Sequence, residues 1–293
     1  MSSQGGRLIN WSLFVALSFI WGSSFILMKE GLKALTAYQL AAVRMVSAAV
    51  VLLPIAINQF KKIPKHKLGL LLLSALLGSF FPAFLFCIAE TRIDSSLAGF
   101  INSLTPIFTI ISGILFFHSK IKQEKIAGIL IAFVGMILLF LANDTINLDY
   151  FSYASLALIA ALSYGFNINL VNRHLKEIGS TNIVAIGFLL LLVPSIIILA
   201  ATGYFNLPLQ NTQVLLSTGA GMALGLFGTA IASILFYILL KRAGPLFSST
   251  VPYGIPFVAL LWGLLAGEHI NAWQVAGLVI ILGGVYLSNR STK

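Results

Sequence analysis

Ten runs of apolar residues, each close to the same length, alternate with short polar stretches along this chain. They fall at about 10–29, 35–57, 68–89, 96–117, 125–142, 151–172, 180–202, 213–240, 246–267 and 271–289. A helix rises 1.5 Å per residue, so roughly 20 apolar residues cross the hydrocarbon core of a bilayer. Each run therefore predicts one spanning helix. In lipid only helices and closed barrels satisfy their own backbone hydrogen bonds. These runs are too long and too uniformly apolar for the alternating strands of a barrel. The predicted fold is an all-α polytopic membrane protein of ten transmembrane helices. Its connections, such as KKIPKHK, HSKIKQEK, ANDTINLD and YFNLPLQNTQ, hold no extramembrane domain. The segment MSSQGGRLIN leads into the first run with no small-residue cleavage pattern, so that run is expected to be a retained span.

Composition agrees: 59% of the 293 residues are hydrophobic and 9% charged, with a mean hydropathy of +1.00. The net charge of +10 would suggest nucleic acid in a soluble protein. Here all the lysines and arginines but Arg44 sit between spans or at their ends, and most can be assigned to cytoplasmic loops, where Lys and Arg collect. With the N-terminus cytoplasmic, that side holds Arg7, Lys61, Lys62, Lys65, Lys67, Lys120, Lys122, Lys125, Arg173, Lys176, Lys241, Arg242, Arg290 and Lys293. The opposite side holds Lys29, Lys33 and Arg92, and the loop with Asp144 and Asp149 carries no positive charge. Fourteen against three predicts both termini in the cytoplasm of a multi-pass protein of the cell (inner) membrane. The lone Cys87 can form no intrachain disulfide and reads as a packing residue. His66, His118, His174 and His269 are expected in loops, without metal-ligand spacing, and no metal or cofactor is expected.

The chain repeats itself. Phe86–Gly113 aligns on Phe236–Gly263 at an offset of 150, with Phe86/Phe236, Ile88/Ile238, Arg92/Arg242, Pro106/Pro256 and Gly113/Gly263 identical. One deleted residue later, Ala127-Gly128 meets Ala276-Gly277, Ile131 meets Ile280, Gly135 meets Gly284 and Leu138 meets Leu287. Near the start, Trp21-Gly22 falls on Tyr164-Gly165. The halves are expected at 1–145 and 146–293, with five spans each. Because five is odd, the second copy enters the membrane from the opposite side. Inverted repeats underlie alternating access, with the substrate near the midplane between the halves.

At WGSSFILMK with Arg44, at LTPIFTIISGILFFHSKIKQEKIAGILIAFVGMILL and at PYGIPFVALLWGLLAGEHINAWQVAGLVIILGGVYL, the chain resembles the drug/metabolite transporter superfamily, EamA branch. The resemblance covers nearly the whole chain. It implies ten helices in an inverted five-plus-five repeat, a cytoplasmic N-terminus, a central cavity, and transport, often export, of amino acids or related metabolites. One departure stands out: Gly267-Glu268 of the second repeat is Phe117-His118 in the first.

Arg44 is the sharpest single feature, a charge about nine residues into an apolar run. At that depth it costs roughly 2.5–3.5 kcal/mol and needs a partner or water. It either holds an anionic substrate group or a gate, or is fixed in place by helix-end hydrogen bonds or a salt bridge to Glu90, Asp94 or Glu30. No Asp, Glu, Lys or His lies well inside a span; Glu90 and Glu268 sit at span ends. Facilitated diffusion, exchange and coupling through Glu90 stay open, and weak pH dependence of transport is expected. The missing intramembrane carboxylate argues against a proton-coupled multidrug pump of this superfamily.

Candidate cavity residues are Trp21, Ser24, Phe25, Asn102, Ser103, Tyr164, Asn167 and Tyr253, polar or aromatic positions within spans, several of them at matched places in the two repeats. Helix–helix hydrogen bonding is the alternative role for each. Pro54, Pro82, Pro106, Pro194, Pro252 and Pro256 predict bends, and the recurring glycines predict close helix packing. No catalytic residue is expected: no His can serve an intramembrane serine, and no HExxH or phosphate loop is present. The expected partners are a small-molecule substrate and the lipid bilayer, without nucleic acid, for a monomer or weak homodimer. A multidrug permease and a channel-like facilitator are the competing readings.

Overall fold

Apolar runs of this length become helices because lipid offers the backbone no other partner. The computed structural model describes residues 4–93, 95–141, 151–258, 261 and 272–289; every regular element among them is helical. The helices are α1 (Gln4–Gly31), α2 (Ala37–Phe60), α3 (Lys65–Ala89), α4 (Ser95–Asn102), α5 (Thr105–Phe117), α6 (Gln123–Leu141), α7 (Phe151–His174), α8 (Ser180–Ala201), α9 (Thr212–Ala243), α10 (Pro245–Ser249) and α11 (Ala272–Asn289). Seven described helical segments are long and apolar enough to cross a membrane: α1, α2, α3, α7, α8, α9, and α4 with α5 taken together over Leu97–Phe117. Asp94, Asp144, Asp149, Gly263, Gly267, Glu268, His269, Arg290 and Lys293 lie outside the described residues.

Caps fix where helices begin. Thr36 and Gln39 form a reciprocal capping box at the start of α2, the Thr36 hydroxyl accepting from Gln39 N at 3.2 Å and Gln39 Oε1 accepting from Thr36 N at 3.0 Å. Gln39 Nε2 also donates to Thr202 O at 2.9 Å, which ties this end of α2 to the end of α8. Asn211 caps α9.

Packing follows an exchange of halves. α1 packs on α9 and on the turn Val251–Gly254, while α7 packs on α3 and α5. α2 packs on α8 and α9, α8 on α2 and α3, and α6 pairs with α11. Swapping α1 with α7, α2 with α8, α3 with α9 and α6 with α11 returns the same contacts. The glycines make the correspondence atomic. A Cβ on Gly22 would meet Val258 Cβ at 2.9 Å, and one on Gly165 would meet Phe108 Cβ at 2.8 Å. Gly22 and Gly165 are matched positions, and so are Phe108 and Val258 at the offset of 150. The fold is two inverted five-helix repeats.

Two single spans of the sequence reading are broken. The run 96–117 divides into α4 and α5 around Ser103 and Leu104, and the run beginning at 246 divides into α10 and a 3₁₀ turn at Val251–Gly254. Pro106 takes one of the first two positions of α5, where its missing N–H costs nothing. Neighbouring hydroxyls donate to the carbonyls released: Thr105 Oγ1 to Asn102 O at 2.7 Å and Thr250 Oγ1 to Phe247 O at 2.6 Å. Pro54 and Pro194 sit inside continuous α2 and α8. His174 is the last residue of α7 and not a loop residue. Cys87 is fully buried, its thiol 3.5 Å from Met28 Sδ.

Candidate functional site

Between the halves lies a cavity of about 980 Å³, open mouth included. Sixteen of its 22 lining residues form eight repeat-matched pairs, which puts it on the axis relating the halves. α1 and α7 contribute Trp21 with Tyr164, Ser24 with Asn167 and Phe25 with Ile168; α3 and α9 contribute Gly78 with Gly228, Ser79 with Thr229 and Phe86 with Phe236. The broken segments supply Asn102 with Pro252 and Thr105 with Ile255.

Two devices expose polar atoms here. Helix α3 widens into a π-helical turn at Leu76–Phe80, and α9 does so at Leu224–Ile231. A π turn shifts bonding from i→i+4 to i→i+5, leaving a carbonyl for another donor. The indole of Trp21 takes one, Nε1 donating to Gly228 O at 3.0 Å. Thr229 Oγ1 donates to Leu224 O at 2.9 Å and accepts from Arg44 Nε at 2.5 Å. The second device is lack of bulk at Gly78. The Asn167 amide fills the space a side chain there would need, and its Nδ2 donates to Tyr237 OH at 3.0 Å.

Of the predicted site residues, Trp21, Ser24, Phe25, Asn102, Tyr164 and Asn167 lie on the cavity wall with Arg44. Ser103 and Tyr253 do not. Ser103 is fully buried, its hydroxyl turned back to Phe100 O at 2.5 Å. Tyr253 is fully buried against Phe14, Leu17 and Val285, its hydroxyl donating to Ile129 O at 3.2 Å. Both sit near helix breaks whose turns aim them away from the axis. The salt bridge considered for Arg44 is absent among the described residues: Thr229 is its acceptor there, and Glu30 pairs with Lys33 at 2.5 Å. Sequence reasoning missed Gly78, Ser79, Gly228 and Thr229, although Gly78-Ser79 stands on Gly228-Thr229 at the same offset of 150 that relates Phe86 to Phe236. It also missed Tyr237, Ser248 and Ser249.

The model of the EamA-like transporter family matches this chain twice, over residues 9–141 and 151–290. The chain belongs to that family. Its EamA-like relatives include the uncharacterized inner membrane transporter YedA of Escherichia coli K12, 28% identical over 90% of this chain and 86% of that one. A probable amino-acid metabolite efflux pump of Salmonella typhimurium LT2 is 27% identical over 92% and 91%. A solved crystal structure shares the fold at a TM-score of 0.72 and 16% identity, covering 98% of this chain and 96% of that one. The family places this protein in the membrane as a multi-pass transporter, not an enzyme.

In this EamA-like chain Glu90 lies one residue beyond the span Lys65–Ala89. It is half-buried, Ser95 Oγ donating to its Oε2 at 3.3 Å while Oε1 is shielded from solvent and unpartnered among the described residues. Burial pushes its pKa up to about 8, against the opposing pull of the Ser95 hydroxyl and the charges of Lys29 and Arg44. No cluster of potential metal ligands occurs among the described residues.

Proposed function

We propose that this protein is a secondary carrier that exports a small amphipathic metabolite of amino-acid size by alternating access, with the axial cavity as its substrate site. The observation that carries the reading is the matched wall. If the repeats exchange conformations, residues that face one side in one state are replaced by their partners in the other, and a site on the axis serves both. The wall is apolar and aromatic with a few polar groups, which suits an amphipathic solute. The Salmonella relative's name, an amino-acid metabolite efflux pump, favours the same class and direction. In this reading the halves are 1–145 and 146–293, both termini are cytoplasmic, and the working unit is a monomer or weak homodimer. Trp21, Ser24, Phe25, Asn102, Tyr164 and Asn167 contact the solute, and Arg44 and Glu90 set charge and gating.

The test is counterflow in proteoliposomes. A carrier preloaded with unlabelled solute accumulates labelled solute transiently and saturably. Uptake that rises linearly with concentration and shows no counterflow overturns alternating access in favour of a channel.

A further inference from the structure

Resting on that reading of the cavity, we infer that its solute is a net monoanion: a carboxylate on an apolar or aromatic body, with a neutral hydrogen-bond donor beside it and no ammonium group. The juxtaposition behind this is an open guanidinium and an orphaned, shielded amide oxygen at one wall that carries no carboxylate among the described residues.

The first pole is Arg44. Among the described residues it is the one charged side chain lining the cavity, and Thr229 is its one protein acceptor, on Nε. The outer edge of the guanidinium, with Nη1 and Nη2, is left to whatever occupies the cavity. That planar fork matches the two oxygens of a carboxylate. At this depth the charge has no ion-pair partner among the described residues until an anion arrives.

The second pole is Asn167, 3% exposed and on the same wall. Its Nδ2 is committed to Tyr237 OH, while Oδ1 has no partner among the described residues and no contact with solvent. Buried acceptors are nearly always paired, so an unpaired one just behind the cavity wall points to a donor that reaches it when the halves close on a bound ligand. The donor is neutral because no described residue on the wall compensates a cation. The hydroxyls of Ser24, Ser248, Ser249 and Thr105 all donate back to carbonyls of their own helices or turns. A zwitterion would bring an ammonium into a low-dielectric space that already holds a guanidinium. A 2-hydroxy acid or an N-acylated amino acid satisfies both poles and leaves the complex neutral.

The probes are three molecules with one aromatic body: 2-hydroxy-3-phenylpropanoate, phenylalanine and 2-phenylethylamine. Each is measured with the full chain by thermal shift in detergent and by counterflow in proteoliposomes. The hydroxy acid is expected to win over phenylalanine by about ten-fold or more, and the amine to give no response. Arg44→Gln abolishes that preference; Arg44→Lys, which keeps the charge without the fork, retains part of it and separates recognition from folding. Asn167→Asp supplies the missing carboxylate and shifts the ratio towards phenylalanine by about ten-fold. A wild-type preference for phenylalanine or the amine overturns the inference but leaves the carrier reading standing, and so does an Asn167→Asp variant with an unchanged ratio. Absence of counterflow with all three probes overturns the carrier reading, and this inference with it.

Discussion

The pairing of α6 with α11 makes a quantitative prediction with its control in the next residue. A Cβ on Gly284 would lie 2.5 Å from Gly128 O and 2.8 Å from Ala132 Cα, and one on Gly128 would lie 2.5 Å from Ser288 N. Ordinary contact begins at 3.4 Å. The obstacles are backbone atoms, which no rotamer change can clear, so Gly284→Ala must drive the helices apart by about 1 Å. Overpacking of that kind costs roughly 1–3 kcal/mol, and the upper half applies where backbone meets backbone. Gly283 has nothing within 4 Å of a Cβ. Gly283→Ala therefore meets no obstacle and recovers up to about 1 kcal/mol of helix propensity. Converted at roughly 2–4 °C per kcal/mol, the midpoint should fall by about 4–12 °C for Gly284→Ala and rise by up to about 4 °C for Gly283→Ala. The chain supplies its own reporter: the single cysteine, Cys87, is fully buried, so a thiol-reactive fluorophore labels only unfolded protein. If the two variants melt together, the close approach of α6 and α11 does not exist and the pairing deduced from it fails.

Three further outcomes are expected. Trp21→Phe keeps the aromatic wall but leaves Gly228 O without its donor, lowering stability by about 1–2 kcal/mol and weakening apparent solute affinity in counterflow; unchanged melting would show that the bond to the π turn contributes nothing. Tyr253→Phe costs about 1 kcal/mol through loss of the bond to Ile129 O and leaves transport kinetics unchanged, whereas altered affinity would return Tyr253 to the cavity. Glu90 has a folded pKa of about 8 against an ordinary 4.5. A raised value means folding favours the protonated form, so its contribution is full below about 4.5 and is lost as pH rises through about 8. Melting should therefore fall from about pH 6 to about pH 9 more steeply in the wild type than in Glu90→Gln, and parallel profiles would place the carboxyl in water.

The spans were legible because hydropathy reports depth in a bilayer, and depth is what these helices share. The duplication was legible because prolines and glycines survive where Leu, Ile and Val exchange freely. Facing was less so. Helices apolar on nearly every side carry no stripe to say which residues meet the axis, and candidates chosen for polar or aromatic character at matched places included Ser103 and Tyr253. Both are polar residues satisfied by nearby or cross-helix carbonyls. The π turns were invisible for a similar reason: an i→i+5 bond leaves no mark on composition. Their trace was positional, Gly78-Ser79 over Gly228-Thr229, and lay just upstream of the stretch whose identities made the repeat apparent.

The same geometry explains why a symmetric wall carries an asymmetric charge. At the offset of 143 that sets Trp21 on Tyr164, Arg44 falls on Gly187. The crossing of α2 with α9 and the equivalent crossing of α8 with α3 each need one small residue. In the second, the small residue is Gly187 itself, where a Cβ would reach Ala75 Cβ at 2.9 Å. In the first it is Gly225 on α9, where a Cβ would meet Arg44 O at 2.6 Å. Putting the glycine on α9 frees position 44 for a long side chain and draws α2 in until Arg44 Nε reaches Thr229, one turn further along α9. Putting it on α8 closes position 187 to any side chain. The duplicated halves can therefore present one guanidinium between them and not two, and a single anionic group is the most that such a wall can neutralise.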